Sequence, residues 1–370
     1  MKRMGIFIFY DEAGIVDKYI EVLLSSMQNM LDRLIVIVNG SVRDEGYSKL
    51  KKYTQDIFIR ENVGFDAGGY KDVFTKFIPE DDLKTWDEIV LFNDTFYGPF
   101  FPWKDIFDKM EKEEADFWGL SRHKGEETEG RSILQHIQSF FLVCRRTMFL
   151  SESWTEFWND LAYPKDLQEA ILNFEVCFSS FFSERQFICK AWTDRSKIEI
   201  PYGQNPYVAF IYELIKEIKF PIIKIKTVCL SGFIPMKKAF DHIAANTNYD
   251  LDLIASHTKR LQKEGRLNVI YPFDMAEVER FYNSHKKIFI YGCGNYGQGM
   301  ALYFGYRGWK YEGFLVTEKT EDRKDIFAYE DISIDADDGV IIALGKKAFG
   351  EVYPYVRKSL AESQLLLPNQ

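Results

Sequence analysis

The chain has 370 residues, of which 46% are hydrophobic and 28% charged, a composition typical of an ordered globular protein with about two domains. Its net charge of −9 disfavours nucleic-acid binding, which requires a positive surface that neutralises phosphates. The five cysteines form no Cys-x-x-Cys pair, so we expect no zinc site. No run of about 18 apolar residues is present, so we expect a cytoplasmic protein that can contact the inner face of a membrane.

Short apolar runs alternate with amphipathic segments in the first half of the chain. Residues 5–10, 34–38, 56–60 and 88–92 are rich in β-branched and aromatic side chains, as strands buried on both faces are. Two further strands are predicted at residues 115–120 and 139–144. Residues 151–187 are predicted to be mostly helical, with breaks near residues 164 and 173. Strands that alternate with helices predict an α/β fold with a parallel sheet.

Polar residues follow each of the first four predicted strands. In an open parallel sheet, ligands bind beyond the carboxyl ends of the strands. One polar end is ordinary turn chemistry, but four in series predict a shared cleft. Its predicted lining residues are Tyr10, Asn39, Gly40, Asn62, Gly64, Asn93 and Asp94.

The segment RENVGFDAGGY, residues 60–70, combines three glycines with an aspartate. Gly64, Gly68 and Gly69 predict a backbone that approaches a ligand closely, and Asp66 adds an acceptor. The alternative is a strand-to-helix turn in which Asp66 caps the helix. A helix N-terminus at this place would favour a diphosphate, because its free N–H groups and its dipole attract anions.

The segments RENVGFDAGGYKDVF, LFNDTFYGPFFPW and HIQSFFLVCRR, in this order and spacing, resemble the rhamnan synthesis F family of bacterial polysaccharide biosynthesis over about residues 1–235. The resemblance implies a GT-A-like glycosyltransferase domain there. It also implies an inverting transfer, with rhamnose as the candidate sugar, from a nucleoside-diphosphate sugar to a cell-surface polysaccharide or glycolipid acceptor. Residues 39–41 then lie where the nucleotide base binds, and residues 91–100 where this superfamily carries its aspartate-x-aspartate metal motif.

The segment at residues 93–95 departs from that motif, because it holds one carboxylate instead of two. A divalent ion on a diphosphate, Mg²⁺ or Mn²⁺, prefers oxygen ligands. Asp94 is therefore the predicted metal ligand and catalytic carboxylate, and Asn93 supplies a carbonyl or a supporting bond. The missing carboxylate keeps open an alternative, a non-catalytic protein that binds nucleotide sugars or glycans.

The resemblance also implies a general base near a helix after the later strands, and acceptor-side residues at His136 and Gln138. Glu175, placed at the start of a helix within residues 174–192, fits that position. Its apolar sequence neighbours predict a raised pKa, which suits a base. The alternative is that Glu175 favours the positive end of the helix dipole. Glu184 and Asp194 are the next candidates.

A second domain is predicted after a mostly helical connector at residues 236–284. Gly292, Gly294 and Gly297 follow a predicted strand in the spacing of a dinucleotide-binding turn, and Glu318 lies about 20 residues further on. We therefore predict a small Rossmann-like domain over residues 285–370. Its glycines are expected either to bind a nucleotide or to allow tight packing of helix and strand in a module that docks a partner. An NAD(P)-dependent sugar-modifying oxidoreductase is the alternative function.

Overall fold

The computed structural model describes residues 1–128, 131–193, 207, 210–230, 233–264, 266, 273, 275–319 and 323–368. The chain divides into two compact units. The N-terminal unit comprises Met1–Glu199, Ile215–Lys224 and Asn246–His257, and the C-terminal unit comprises Ile200–Leu214, Ile225–Ala245 and Thr258–Gln370. The domain boundaries expected from the sequence remain predictions.

The strands of the N-terminal unit bear out the apolar runs of the sequence. In chain order they are β1 (Arg3–Phe9), β2 (Arg33–Asn39), β3 (Asp56–Arg60), β4 (Glu88–Asn93), β5 (Phe96–Tyr97), β6 (Phe117–Gly119), β7 (Arg122–His123), β8 (Glu126–Thr128), β9 (Arg131–Ile133), β10 (His136–Ile137), β11 (Phe141–Arg145), β12 (Cys189–Ala191) and β13 (Ile223–Lys224). Seven of them form the central sheet in the order β12-β6-β11-β4-β1-β2-β3. Only β11 runs antiparallel to its neighbours in this sheet. The predicted α/β fold with a mainly parallel sheet is confirmed.

Helices cover the sheet and continue through the second half of the chain. The α-helices are Lys18–Met27, Asp44–Leu50, Phe65–Asp72, Glu80–Leu83, Trp103–Glu111, Arg146–Phe149, Glu152–Asp160, Leu167–Glu169, Cys177–Glu184, Ile211–Ile218, Ile225–Leu230, Phe233–Asn246, Asp252–Lys263, Met275–Ser284, Asn295–Arg307 and Lys346–Val356. The described residues also contain two π-helical turns, Val73–Phe77 and Ala170–Val176, and two 3₁₀ turns, Tyr329–Asp331 and Glu362–Gln364. No helix within the described ranges is long and apolar enough to cross a lipid bilayer.

Aromatic side chains fill the core beneath two helices of the N-terminal unit. Trp154 and Trp158 from Glu152–Asp160 meet Phe178 and Phe182 from Cys177–Glu184, and each is at most 2% exposed. Burial of one such side chain contributes about 1.5–3 kcal/mol. This packing fixes the helical stretch that carries Glu175 against the sheet.

The C-terminal unit contains a parallel sheet of five strands. They are β14 (Ile288–Tyr291), β15 (Gly313–Val316), β16 (Ile326–Ala328), β17 (Gly339–Ile342) and β18 (Leu365–Leu366). Their order is β16-β15-β14-β17-β18. Counted from β14, this is the order 3-2-1-4-5 of a Rossmann sheet without its sixth strand. The predicted small Rossmann-like fold is therefore confirmed.

Candidate functional site

The predicted polar ends meet at one edge of the N-terminal sheet. Strands β1 to β4 are mutually parallel, in the spatial order β3-β2-β1-β4, so the winding of the sheet reverses between β1 and β4. Ligands of open α/β sheets bind in the crevice at such a reversal. Because β11 is antiparallel to β4, with Phe141 opposite Phe92, the residues before β11 also lie at this edge.

Asp94 lies where the crevice is expected and bridges β1 and β4. Its Oδ2 accepts a hydrogen bond of 2.7 Å from the backbone N–H of Tyr10, and its carbonyl accepts one of 2.9 Å from the Tyr19 hydroxyl. Burial raises the pKa of Asp94 to about 7, although the bond from the Tyr10 N–H lowers it. The charges of Asp11 and Asp66 contribute further to the increase. Asp11 and Asp66 each disfavour the charged form of Asp94.

Asn93 supports its neighbours and does not face outward. Its Nδ2 donates to Asp66 Oδ2 at 3.0 Å, and its Oδ1 accepts from the Thr95 hydroxyl at 2.6 Å and the Thr95 N–H at 3.2 Å. The side-chain carbonyl expected to bind a metal is thus already engaged, and Asn93 is only 5% exposed. Burial raises the pKa of Asp66, although the bond from Asn93 opposes this shift.

The glycine loop after β3 serves the packing of its own backbone. Gly64 has φ +79°, and the helix Phe65–Asp72 begins directly after it. A Cβ on Gly68 would lie 2.2 Å from the Val63 carbonyl oxygen, and one on Gly69 would lie 2.8 Å from Ile8 Cδ1. Both glycines are buried. Gly68 and Gly69 thus face the protein's own atoms where a ligand was expected. The segment forms a strand-to-helix turn as in the alternative, but Gly64 and not Asp66 is its N-cap residue, and no side chain caps the helix.

This interpretation predicts the effect of Gly68→Ala. The added methyl group clashes with the Val63 carbonyl, so the free energy of unfolding should fall by about 1–3 kcal/mol. Gly350→Ala is the matched control, because no atom lies within 4 Å of its Cβ position and alanine favours its helix. Denaturant unfolding measures both variants. A Gly68→Ala protein of wild-type stability that has lost only ligand affinity would contradict the packing role.

Asn39 holds the glycine loop and is not accessible to a nucleotide base. Its Nδ2 donates to the Phe65 carbonyl at 2.9 Å, and its Oδ1 accepts from Arg60 Nη1 at 2.6 Å. Phe65 adopts φ +55°, a strained conformation for a non-glycine residue, and the Asn39 bond stabilises it. Asn39 is 1% exposed, so the expected side-chain contact with the donor is replaced by a positioning role.

Tyr10 and Asn62 remain open at the same edge. Tyr10 is 45% exposed, and the Cβ position of Gly40 lies 3.8 Å from its ring. Asn62 is exposed on the loop that precedes Gly64. An exposed aromatic face beside a small residue suits stacking of a planar base, so donor contacts by Tyr10, Gly40 and Asn62 remain predictions.

A buried ion pair anchors this loop to the sheet. Arg60 Nε lies 2.6 Å from Asp72 Oδ2, and Arg60 Nη2 donates to the Val63 carbonyl at 2.8 Å. Tyr163 donates its hydroxyl to Asp72 Oδ1 at 2.5 Å, and Lys76 lies 2.6 Å from the same oxygen. Although burial favours the neutral acid, the bonds from Lys76, Tyr163 and Arg60 hold the pKa of Asp72 below its usual range.

Asp72→Asn should destabilise the chain by about 3–5 kcal/mol, because it leaves the Arg60 charge buried without its partner. A carboxylate with a lowered pKa stabilises the fold above its unfolded pKa of about 3.9, and this contribution disappears as the pH falls. The variant should therefore lose most stability relative to wild type at neutral pH, and this deficit should shrink as the pH falls below about 3.9 toward the lowered pKa of Asp72. Asp81→Asn, at an exposed ion pair with Lys84, is the control and should change nothing measurable. Equal stability of Asp72→Asn and wild type at pH 7 would refute the anchor.

Glu175 lies in the π-helical turn Ala170–Val176, inside a helical stretch that already begins at Leu167. The expected position at a helix start is thus wrong. Its Oε1 lies 3.2 Å from His136 Nε2, and its Oε2 accepts 2.7 Å bonds from both the N–H and the hydroxyl of Ser139. Such π-helical turns occur often at functional sites.

The pKa of Glu175 is shifted in the direction opposite to the expected one. Burial alone would raise it, but the bond from His136, the charge of Lys224 and the Ser139 N–H together lower it to about 2. The apolar sequence neighbours do not decide the shift, because Phe174 and Phe178 point into the core while the carboxylate meets donors from the β10–β11 segment. Glu175 is therefore an anion at neutral pH.

His136 and Gln138 differ in their access to solvent. His136 is 4% exposed, its Nδ1 lies 2.8 Å from the Leu134 carbonyl oxygen, and its ring stacks on His123 with 5.0 Å between centroids. Both ring nitrogens thus face acceptors, so the expected contact of His136 with an acceptor sugar is replaced by a structural role. Gln138 is half-buried and accepts from the Ser121 hydroxyl at 2.7 Å. Its acceptor role remains a prediction.

The glycine turn of the C-terminal unit has the geometry that its spacing predicts. Gly292 has φ +104°, and a Cβ on Gly297 would lie 1.8 Å from the Gly292 carbonyl oxygen. At the start of helix Asn295–Arg307, no atom lies within 4 Å of the Cβ position of Gly294. These are the tight-turn, open and close-packing positions of a dinucleotide fingerprint. Nucleotide binding at Gly292, Gly294 and Gly297 remains a prediction.

Sequence comparison decides the family of the chain. The sequence model described as rhamnan synthesis protein F matches residues 34–296, well over half of the chain. The chain belongs to the rhamnan synthesis protein F family. The resemblance of the glycine loop, the Asp94 segment and the β11 segment to this family is thus confirmed.

Individual relatives of this family member are distant. An uncharacterized protein y4gN of Sinorhizobium fredii is 20% identical over 182 residues, and the match spans 48% of this chain but only 45% of that protein. Among solved structures, 4-diphosphocytidyl-2C-methyl-D-erythritol synthase of Anaerococcus prevotii gives a TM-score of 0.34 at 12% identity, covering 51% of this chain and 86% of that one. Glucosyl-3-phosphoglycerate synthase of Mycobacterium tuberculosis, solved with Mg²⁺ and uridine diphosphate, gives 0.25 at 14% identity, covering 40% and 57%.

Several residues around the crevice of this rhamnan synthesis protein F member have no signal in the sequence. Tyr19 binds the Asp94 carbonyl, and its ring lies 4.6 Å from that of His257, whose Nδ1 lies 2.7 Å from the Tyr97 hydroxyl. Lys224 of β13 lies opposite Phe96 of β5, two residues after Asp94. These residues lie more than 70 positions along the chain from Asp94 or Tyr97, so a local sequence pattern could not predict that they meet at this site.

The metal site expected at Asp94 is not a closed protein cage. Within the ranges that the structure describes, no three histidine, cysteine, aspartate or glutamate side chains are placed to hold an ion. Mg²⁺ commonly binds through one or two carboxylates together with substrate phosphates, so a single carboxylate is compatible with an ion that a diphosphate brings. Of the two other candidate bases, Glu184 is exposed at a helix end, and Asp194 lies outside the described residues.

Proposed function

We propose that this member of the rhamnan synthesis protein F family is a glycosyltransferase, which moves a sugar from a nucleoside-diphosphate sugar to a glycan or lipid-linked glycan acceptor. The observation that carries the proposal is the Tyr10–Asp94 contact, which places a carboxylate at the reversal point of a parallel sheet. The family description supports rhamnose as the first donor sugar to test, and an inverting reaction belongs to the same proposal.

The charges at the crevice support a divalent ion as part of donor binding. Asp11 and Asp66 repel the Asp94 carboxylate, and the same negative charges would repel a diphosphate. Asp94 would hold the ion, Mg²⁺ or Mn²⁺, together with the donor phosphates. When bound, the ion would neutralise the leaving diphosphate. Tyr10 would stack on the base, and Asp66, held by Asn93, would keep the Asp94 turn in place.

A nucleotide-sugar screen tests the proposal. Thermal unfolding of the full chain would be followed with dTDP-rhamnose, UDP-glucose, UDP-galactose and GDP-mannose, each with and without Mn²⁺, and with NAD⁺ and NADP⁺. A donor present at about 100 times its dissociation constant should stabilise the unit that binds it by about 2.7 kcal/mol. We expect one nucleotide sugar to raise the Tm, more so with Mn²⁺, and the same donor to support transfer to a membrane-extracted glycan. Stabilisation by NAD⁺ or NADP⁺ alone would favour the oxidoreductase instead.

A further inference from the structure

Lys224 comes from a part of the chain remote from the predicted motifs and lies beside the segment that follows Asp94. Strand β13 pairs with β5 in antiparallel fashion, and Lys224 lies opposite Phe96. Phe96 follows Asp94 by two residues, so the pairing places Lys224 beside the segment that leaves the Asp94 turn. Lys224 is half-buried, so part of its surface is open to solvent.

The ammonium group of Lys224 lies among the residues that hold the site together. Its Nζ is 4.3 Å from the centroid of the Phe140 ring. The Phe140 carbonyl accepts a bond of 3.3 Å from the Asn93 N–H, and the preceding residue, Ser139, donates twice to Glu175. Lys224 thus packs on the residue whose backbone contacts the Asp94 turn and whose neighbour, Ser139, contacts Glu175.

The balance of charge at this edge calls for a cation when a donor binds. Four carboxylates lie close enough to influence one another's pKa values: Asp11, Asp66, Asp94 and Glu175. Lys224 acts electrostatically on one of these carboxylates, because its positive charge lowers the pKa of Glu175. A diphosphate adds further negative charge, which grows on the leaving group as the glycosidic bond breaks.

We propose that Lys224 is a further catalytic residue, which contacts the phosphates of the nucleotide donor and stabilises the leaving nucleoside diphosphate. In this step, the bond between the anomeric carbon and the phosphate oxygen breaks, and its electron pair stays on the diphosphate. The acceptor hydroxyl oxygen forms the new bond to that carbon, and its proton passes to solvent. The inference rests on the proposed function and adds a residue to it.

The test compares Lys224→Met, which keeps the aliphatic chain but removes the charge, with Lys224→Arg, which keeps the charge. Lys226→Met is the matched control, because Lys226 is exposed two residues further on. Calorimetry with Mg²⁺ would measure the affinities of UDP, GDP and dTDP, and of the nucleoside matching the one that binds best. Steady-state kinetics with the donor identified by the nucleotide-sugar screen would give kcat and KM.

We expect Lys224→Met to bind the nucleoside diphosphate at least about tenfold more weakly and the nucleoside as wild type does, because only the phosphates meet the lysine. Its kcat should fall about 10²–10³-fold, as on loss of one group that stabilises developing charge. Lys224→Arg should recover part of the diphosphate affinity and part of kcat. Lys226→Met should have the affinity and kcat of the wild-type protein. A structural role for Lys224 would instead weaken diphosphate and nucleoside binding equally.

Two other results would overturn the proposal in distinguishable ways. Unchanged diphosphate affinity and kcat in Lys224→Met, beside a wild-type protein that binds and transfers, would remove Lys224 from the reaction and leave the glycosyltransferase in place. If the wild-type chain binds none of the three nucleoside diphosphates, with or without Mg²⁺, then the donor site and the role of Lys224 fail together.

Discussion

Asp94→Ala should abolish sugar transfer and leave the fold intact. The carboxylate occupies the reversal point between β1 and β4, where its charge is poorly solvated and lies near two other carboxylates. Its removal takes away the group that would hold the ion on the donor diphosphate, so transfer should fall at least about 10²-fold. The same removal relieves repulsion from Asp11 and Asp66. Stability should therefore change by no more than about 1 kcal/mol, the value of the lost bond from Tyr10.

Two companion variants make the Asp94 result specific. Asp94→Asn keeps the shape and one acceptor for the Tyr10 N–H but lacks the charge, so it should be about as inactive as Asp94→Ala. Asp87→Asn, just before the opposite end of β4, removes an exposed carboxylate that accepts from the Lys2 N–H and should transfer sugar normally. Initial rates, with circular dichroism to monitor folding, decide the outcome. Full activity of a folded Asp94→Ala protein would sink the assignment.

The sheet and its polar edge could be predicted because they depend on local sequence. A strand buried on both faces must be apolar along its length, and β1 and β4 are buried at every residue. Their polar ends are then fixed at one edge by the parallel arrangement. The same logic located Asp94, which the sequence marks as the first carboxylate after a buried strand.

The roles of individual side chains at that edge could not be predicted in the same way. The glycines of residues 60–70 predict that the backbone needs space beside it. They do not predict whether a ligand or, as here, the Val63 carbonyl fills that space. Asn39 looked like an exposed turn residue, yet Arg60 and Phe65 take up its amide. Each of these outcomes depends on which atoms the fold brings together, and the contacts of Asn39 join residues more than 20 positions apart.

Glu175 is the residue for which the structure changes the expectation most. A general base should have a pKa near the working pH, whereas the His136 bond, the charge of Lys224 and the Ser139 N–H overcome the effect of burial and lower the pKa of Glu175 to about 2. The carboxylate is a weak base under these conditions. Its contacts suit a different task, since one anion fixes the His136 ring and both polar groups of Ser139. We propose that Glu175 positions the segment between β10 and β11, which borders the Asp94 turn.

Glu175→Gln separates the two roles. Its amide offers one acceptor where the carboxylate met three donors, and its NH₂ group faces either His136 or Ser139 as a second donor. The free energy of unfolding should fall by about 1–3 kcal/mol, the usual effect of leaving buried polar groups unpaired. The deficit should be present above the unfolded glutamate pKa of about 4.3 and should shrink as the pH falls toward 2, because a lowered pKa stabilises only the charged form.

Kinetics then distinguish positioning from base catalysis. A positioning role predicts that Glu175→Gln raises the KM of the donor as well as lowering kcat, and that the acidic limb of the pH–rate profile keeps its wild-type midpoint. It also predicts that Ser139→Ala causes part of the same change in KM and kcat. In the double variant of Glu175→Gln and Ser139→Ala, the second substitution should add little, because both break the same contact. Glu152→Gln, exposed in the first turn of the helix Glu152–Asp160, is the control. A variant of wild-type stability and donor affinity, with a rate about 10²–10⁴-fold lower and no acidic limb, would make Glu175 the base after all.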